Sequence, residues 1–231
     1  MPNDYLLAID QGTTGTTALL IDHDLRVIGR QTIDFPQHYP NPGWVEHDPE
    51  EIWLSVRRAV FKLFEETGVT ANRLAAIGIT NQRETTLLWE RRSGRPVGQA
   101  IVWQCRRSAP ICEEFRQTGN EAAVRAKTGL VIDPYFSATK LTWMLRNNNA
   151  MRRRATNGEL AFGTIDSFLV WRLTGGAQHI TDVSNASRTL LMDLETLAWD
   201  DDLCRLFEVP ANMLPRISPS AEVYGTTSGL D

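Results

Sequence analysis

Apolar and polar positions along this chain mark out its elements one after another. Tyr5-Leu6-Leu7-Ala8-Ile9 is a short apolar run that reads as a buried strand. Ala18-Leu19-Leu20-Ile21, preceded by β-branched threonines, reads as a second strand. Asp22-His23-Asp24 turns the chain into a third, running from Val27-Ile28 to about Phe35, so the first three strands form an antiparallel meander. Ile52, Trp53, Val56, Ala59, Val60, Leu63 and Phe64 then recur at helical spacing and make one apolar stripe. Asp48 can cap that helix, Pro49 suits its first position, and Glu51 lies three residues after the cap. Gly68 is a fitting terminator. The apolar run 74–79 reads as another buried strand, and a strand, a helix and a strand imply a parallel crossover onto the same sheet.

Beyond residue 80 the pattern is mixed. A strand at 100–103 leads into a helical region over about 108–127 that ends near Gly129, and 140–146 and 167–173 read as further helices. Phe162-Gly163-Thr164-Ile165-Asp166-Ser167 is a strand-to-helix step with Asp166 or Ser167 as its cap. Asp200-Asp201-Asp202 caps a helix over 203–207, and the proline-rich stretch 210–219 reads as an irregular connection. In the loop 36–47, Trp44 and Tyr39 read as packing residues.

The chemistry begins between the first two strands. Asp10 stands at the C-terminal end of a buried strand, followed by Gln11-Gly12-Thr13-Thr14-Gly15-Thr16-Thr17. Such a glycine turn can offer backbone N–H groups and threonine hydroxyls to an anion while the carboxylate faces a hydrated cation such as Mg²⁺. It is not a P-loop, because no Gly-Lys-Ser/Thr follows and no helix starts there. An ordinary hairpin with glycine in its loop accounts for these residues equally well. Further on, Thr80-Asn81-Gln82-Arg83-Glu84-Thr85-Thr86 is a polar tip at the end of a parallel strand, where ligands collect in sheets of this kind. The Arg83 fork donates and the Glu84 carboxylate accepts, which together suit vicinal hydroxyls. Neighbours on a regular strand point to opposite faces, so both reach one ligand only if the chain bends here. A salt-bridging surface turn is the simpler reading of spacing alone. Trp103 is plain core or the apolar wall for a small polyol, and Tyr135, after the Asp133-Pro134 break, is packing or a hydrogen-bonding phenol on a loop.

Composition narrows the partners. At 231 residues the chain suits one large domain or two small ones, and 42% apolar with 23% charged residues is ordinary for a globular protein. A net charge of −4 gives no case for nucleic acid or an acidic membrane surface. The arginine pairs at 57–58, 91–92 and 106–107 and the run 152–154 read as solvated faces. Three cysteines without a Cys-x-x-Cys, and no signal peptide, favour a reducing cytoplasm. No run approaches a membrane span, and four scattered histidines have no metal-ligand spacing.

The Asp-Gln-Gly-Thr-Thr turn resembles the first phosphate loop of the FGGY carbohydrate kinases, and Ile-Thr-Asn-Gln-Arg-Glu-Thr-Thr, Val-Trp-Gln-Cys-Arg-Arg and Asp-Pro-Tyr-Phe-Ser resemble the glycerol kinases among them. The resemblance runs from Asp10 to about Tyr224. It implies one α/β domain over 1–231 with the actin/Hsp70-like (ribonuclease H-like) ATPase fold, a mixed sheet carrying a phosphate hairpin and flanked by helices. It implies ATP and Mg²⁺ as cofactors, with Asp10 at the metal and Gly12, Thr13, Thr14, Gly15 and Thr17 at the nucleotide. Arg83, Glu84, Trp103 and Tyr135 would hold glycerol. It also implies a cytoplasmic homo-oligomer at full length. Two departures stand out. Glycerol kinases are about twice as long, and their Gly-Asp-Gln segment, whose Asp is the base, does not occur here. The base is therefore expected beyond Asp231, with no catalytic residue in this chain and no activity from it alone. Thr17 also stands where the family carries an Arg that contacts nucleotide phosphate. The alternatives are another FGGY kinase, for a pentose or tetritol, and a non-catalytic polyol-binding module.

Overall fold

The computed structural model describes residues 4–228. They form two compact units, one through Gln37 and again His47–Gln82, the other His38–Glu46 and from Arg83 onward.

The first unit is built on β1 (Tyr5–Gln11), β2 (Gly15–Ile21) and β3 (Val27–Asp34). A two-residue strand, β4 (Glu46–His47), spans the boundary between the units; α1 (Pro49–Thr67) and β5 (Leu74–Asn81) complete the first. The sheet order is β3-β2-β1-β5, with β1 antiparallel to β2 and parallel to β5. This is the predicted meander plus crossover. Alternation decides which face is covered: Leu7 and Ile9 of β1 and Ala18 and Leu20 of β2 are buried, as are Ile52, Val56, Ala59, Val60 and Leu63 of α1, which packs on β2 and β3. Each such large apolar side chain contributes roughly 1.5–3 kcal/mol when fully buried. Trp53 and Phe64 lie at the rim of this stripe, half-buried. Asp48 caps α1 by accepting the Glu50 N–H at 2.8 Å, and Gly68, at φ 67°, ends it with its N–H on Phe64 O at 2.9 Å. β5 departs from the reading of a buried strand. It is the edge of its sheet, and Ala75, Ala76 and Gly78 are exposed.

The second unit carries β6 (Leu87–Glu90), β7 (Ala100–Ile101), α2 (Ala109–Gln117), α3 (Glu121–Thr128), α4 (Ser137–Arg146) and α5 (Asn149–Thr156). These are followed by β8 (Leu160–Gly163), α6 (Ile165–Leu173), β9 (Ile180–Asp182), α7 (Val183–Ala186), β10 (Met192–Asp193), β11 (Ala198–Trp199), α8 (Asp201–Leu206) and β12 (Arg216–Ser218). β6 pairs antiparallel with β8, and β9 pairs parallel with β12. Leu88, Phe115, Leu141, Phe162 and Phe207 share the core.

Several local expectations are corrected here. The helical region after Ser108 is two helices, because Gly119 at φ 78° breaks it between α2 and α3. α6 begins at Ile165 after Thr164, so neither Asp166 nor Ser167 is its cap; the Asp166 carboxylate instead accepts from Thr181 Oγ1 at 2.7 Å and from the Thr164 hydroxyl. Burial pushes the Asp166 carboxyl up to about 6. Asp200 does cap α8, accepting the Leu203 N–H at 2.8 Å. The 210–219 stretch contains β12. Tyr39 is 68% exposed and does not pack, whereas Trp44 meets Trp143 edge-on at 5.1 Å. Arg107 is not solvated. It is buried, pairs with Glu46 at 2.7 Å and lies 3.9 Å from the Trp44 ring centroid, so an ion pair and two indole faces offset its desolvation.

Candidate functional site

In the first unit the hairpin is fixed from behind by buried polar groups. Gly12 N–H donates to Gly15 O at 2.9 Å and closes a loop whose apex is Thr13 and Thr14. Gly15 is required by close approach, since a Cβ there would stand 2.7 Å from Asp34 Oδ1 and 3.0 Å from Ile33 O of β3. Gln82, just past β5, donates its N–H to Gln11 O at 2.7 Å, and its amide reaches Gln11 Oε1 at 3.1 Å and Gly12 O at 3.2 Å. The same amide meets His47 Nδ1 at 3.3 Å, while His47 Nε2 meets Gln37 Oε1 at 2.6 Å. Because Gln82 donates through nitrogen, His47 Nδ1 accepts and its Nε2–H donates to Gln37. Thr16 and Ser55 are hydrogen-bonded at 2.6 Å in the same interior. No part of this network is legible in the sequence, since its members lie 10 to 71 residues apart.

Asp10 ends β1 exposed, opposite Thr17 of β2 and beside Thr80 of β5. Its carboxylate makes no hydrogen bond or ion pair among the described residues. One unengaged carboxylate beside hydroxyls is the kind of partner a hydrated Mg²⁺ takes. Among the described residues no group of three His, Cys, Asp or Glu could enclose a metal ion. Thr17 Oγ1 is 2.9 Å from Thr32 Oγ1, a pairing that ties β2 to β3 and brings no charge to the hairpin.

The second unit holds the other candidates. Glu84 adopts φ 62°, and Thr85 N–H donates to Arg83 O at 2.8 Å across it. A positive φ under an i→i+2 bond is a tight, strained γ-turn, and this is the bend that lets adjacent side chains escape strand alternation. Arg83 is exposed, and Glu84 is 3% exposed. The Glu84 carbonyl accepts from Ser137 Oγ at 3.2 Å and from Thr86 Oγ1 at 3.0 Å. Its Oε1 accepts from Arg188 Nε at 2.7 Å. The Arg188 guanidinium lies 4.9 Å from the Phe136 ring and 5.8 Å from that of Tyr135. Tyr135 and Trp103 are half-buried, with ring centroids 5.3 Å apart.

Arg188 thus links the Glu84 carboxylate to the Tyr135 ring, which in turn packs on Trp103, with Arg83 next to Glu84 on the chain. The Tyr135 turn is held from beneath by Lys140 of α4, fully buried, whose Nζ donates to Tyr135 O and, at 3.0 Å, to Phe136 O. Burial lowers the Lys140 ammonium to about 7. Sequence reasoning misses both Arg188 and Lys140: Arg188 stands 104 residues from its partner, in a polar segment whose pattern assigns it no chemistry.

Such an arrangement can accept hydrogen bonds from a hydroxyl on a carboxylate while aromatic faces cover a short carbon chain. The Asp10 hairpin can face an anion and a hydrated cation.

The model of the FGGY family of carbohydrate kinases, N-terminal domain, matches residues 5–229. Glycerol kinase of Carboxydothermus hydrogenoformans is 54% identical over 227 residues, covering 98% of this chain and 45% of the relative. Glycerol kinase of Myxococcus xanthus is 55% identical over 226 residues, with 98% and 46% covered. Among solved structures, Plasmodium falciparum glycerol kinase with ADP superposes with a TM-score of 0.91 at 34% identity, covering 97% of this chain and 45% of that one. A ligand-bound xylulose kinase from Lactobacillus acidophilus, at 24% identity and a TM-score of 0.86, shares the fold. The fold is the actin/Hsp70-like ATPase fold expected from the resemblance. The chain spans about half the length of the curated relatives it matches.

Proposed function

The chain belongs to the FGGY family of carbohydrate kinases, and from that premise we propose that it is the N-terminal half of an ATP-dependent glycerol kinase. The complete protein would convert glycerol and ATP to glycerol 3-phosphate and ADP. Residues 1–231 are its FGGY N-terminal domain. Arg83 donates to, and Glu84 accepts from, neighbouring glycerol hydroxyls, Tyr135 adds a phenol, and Trp103 lies along the carbons. Gly12, Thr13, Thr14, Gly15 and Thr17 meet the nucleotide phosphates, and Asp10 holds the hydration shell of Mg²⁺. The ion, when bound, offsets negative charge on the phosphates. The chain's own residues position and polarise; no general base is assigned among them. We assign the chain to the cytoplasm, a reducing compartment that suits its three free, buried cysteines.

The observation that carries this reading is the left-handed bend at Glu84, whose nearly buried carboxylate is joined through Arg188 to the Tyr135 ring, with the exposed Arg83 next to it on the chain. The test is thermal stabilisation of the purified chain by a panel of polyols. A shift with glycerol and none with xylulose or erythritol supports a glycerol kinase. A shift with xylulose or erythritol alone supports a kinase for another acceptor, and no shift with any polyol removes the polyol site.

A further inference from the structure

We propose that Arg188 is the positioning residue that fixes the Glu84 carboxylate and so decides which acceptor hydroxyl the site selects; the inference rests on the polyol reading above. Three observations lead to it. First, Arg188 is the ion-pair partner of Glu84 through a single donor: Nε goes to Oε1 at 2.7 Å, and no second bond to the carboxylate accompanies it among the described residues. A bidentate fork would occupy both oxygens. The single-donor contact anchors Oε1 and keeps Oε2 out of the pair. Oε2 is the atom left to accept from a hydroxyl.

Second, the guanidinium is itself held in orientation. It lies over the Phe136 ring at 4.9 Å and near the Tyr135 ring at 5.8 Å, so one side chain bonds the acceptor carboxylate and lies beside the aromatic ring of the same site. A planar cation stacks on rings in this way, and an ammonium cannot reproduce the geometry.

Third, both partners are pinned to the first turn of α4. Ser137 Oγ donates to Glu84 O at 3.2 Å, and Ala138 N–H donates to Thr189 O, the residue after Arg188, at 2.9 Å. Behind Arg188, the Asp182 side chain caps α7 by accepting the Asn185 N–H at 2.7 Å, and Arg188 N–H returns to Asn185 O at 3.0 Å. Adjacent residues of one helix thus fix the separation between Glu84 and Arg188. Fold stability alone does not call for this: Arg188 remains about a third exposed, whereas Glu84 is almost fully enclosed. The pair orients an acceptor more than it cements a core.

The test uses the 231-residue chain and three probes: glycerol, 1,2-propanediol and 1,3-propanediol. Their affinities are measured by isothermal titration for wild type, Arg188→Met and Arg188→Lys, with urea midpoints as a check on folding. Wild type is expected to discriminate glycerol from at least one diol. Both variants should lose glycerol affinity about tenfold or more, the scale of one charged hydrogen bond. Their glycerol-to-diol ratio should also collapse toward one. If Arg188 only supports the fold, all three affinities fall by one common factor and the ratio holds, which overturns the proposal. A wild-type chain that binds glycerol and both diols equally overturns it without any variant. A wild-type chain that binds none of the three overturns the polyol reading and this inference with it.

Discussion

Glu84→Gly separates two properties that the native residue combines, a strained backbone and a binding carboxylate. A non-glycine residue held at φ 62° costs on the order of 1–3 kcal/mol, and glycine removes that cost. Against this stand two losses. Glycine's greater freedom in the unfolded chain takes back about 0.5–1 kcal/mol. The Arg188 bond at 2.7 Å also disappears, and hydrogen bonds to charged groups contribute roughly 1.5–3 kcal/mol. Arg188 is 32% exposed and can rehydrate, so its share falls at the lower end. The bonds from Ser137 and Thr86 to the residue 84 carbonyl survive, because they are to backbone. The net change in stability is therefore about zero, within ~1 kcal/mol. Glu84→Gln keeps the strain and the volume but neutralises the acceptor, and should cost about 1–2 kcal/mol. Urea denaturation should thus rank glycine with the wild type and glutamine below both, while each variant loses glycerol affinity at least about tenfold. The reasoning fails if glycine destabilises by more than ~3 kcal/mol while glutamine matches the wild type.

Arg83→Lys should weaken glycerol by one to two powers of ten, because an ammonium cannot present a two-donor fork; unchanged titration curves would remove Arg83 from the site. Thr17→Arg should tighten MgATP and leave glycerol affinity unchanged, since the Thr17 hydroxyl pairs with that of Thr32 across the strands and brings no charge; equal ATP affinity would mean that another cation fills that role. Lys140, lowered to about 7 by burial against the opposing charges of Cys105, Glu84, Cys112 and Asp133, binds its proton in the unfolded chain but not in the folded one between about pH 7 and 10. Wild-type stability should therefore rise across that window relative to Lys140→Met, and parallel pH–stability curves would contradict the assignment.

What the sequence makes legible is what local pattern governs. The apolar runs of β1 and β2, the helical stripe of α1, its Asp48 cap and its Gly68 stop are each written within a few residues, and the structure follows them. The need for a bend at Arg83-Glu84 is also legible, and φ 62° supplies it. The missing parts depend on residues far apart in the chain. Arg188 reaches Glu84 across 104 positions, and Gln82 reaches Gln11 across 71. Arg107 looks like half of a solvated pair because nothing local announces that Trp44, Trp143 and Glu46 enclose it. β5 reads as buried from composition, yet burial depends on its place at the sheet edge, which composition does not encode.

The central claim, that this chain supplies the polyol half of a glycerol kinase, is tested most directly by joining it to the C-terminal half of the Myxococcus xanthus glycerol kinase, which is 55% identical over the shared region. Phosphorylated product is followed by ³¹P NMR with coupled detection of ADP, and the unfused chain is run beside the fusion. The account predicts no turnover from the chain alone, and glycerol 3-phosphate from the fusion in clear preference to any pentose phosphate. A fusion that phosphorylates xylulose in preference to glycerol, or glycerol turnover by the unfused chain at the rate of the fusion, would contradict it.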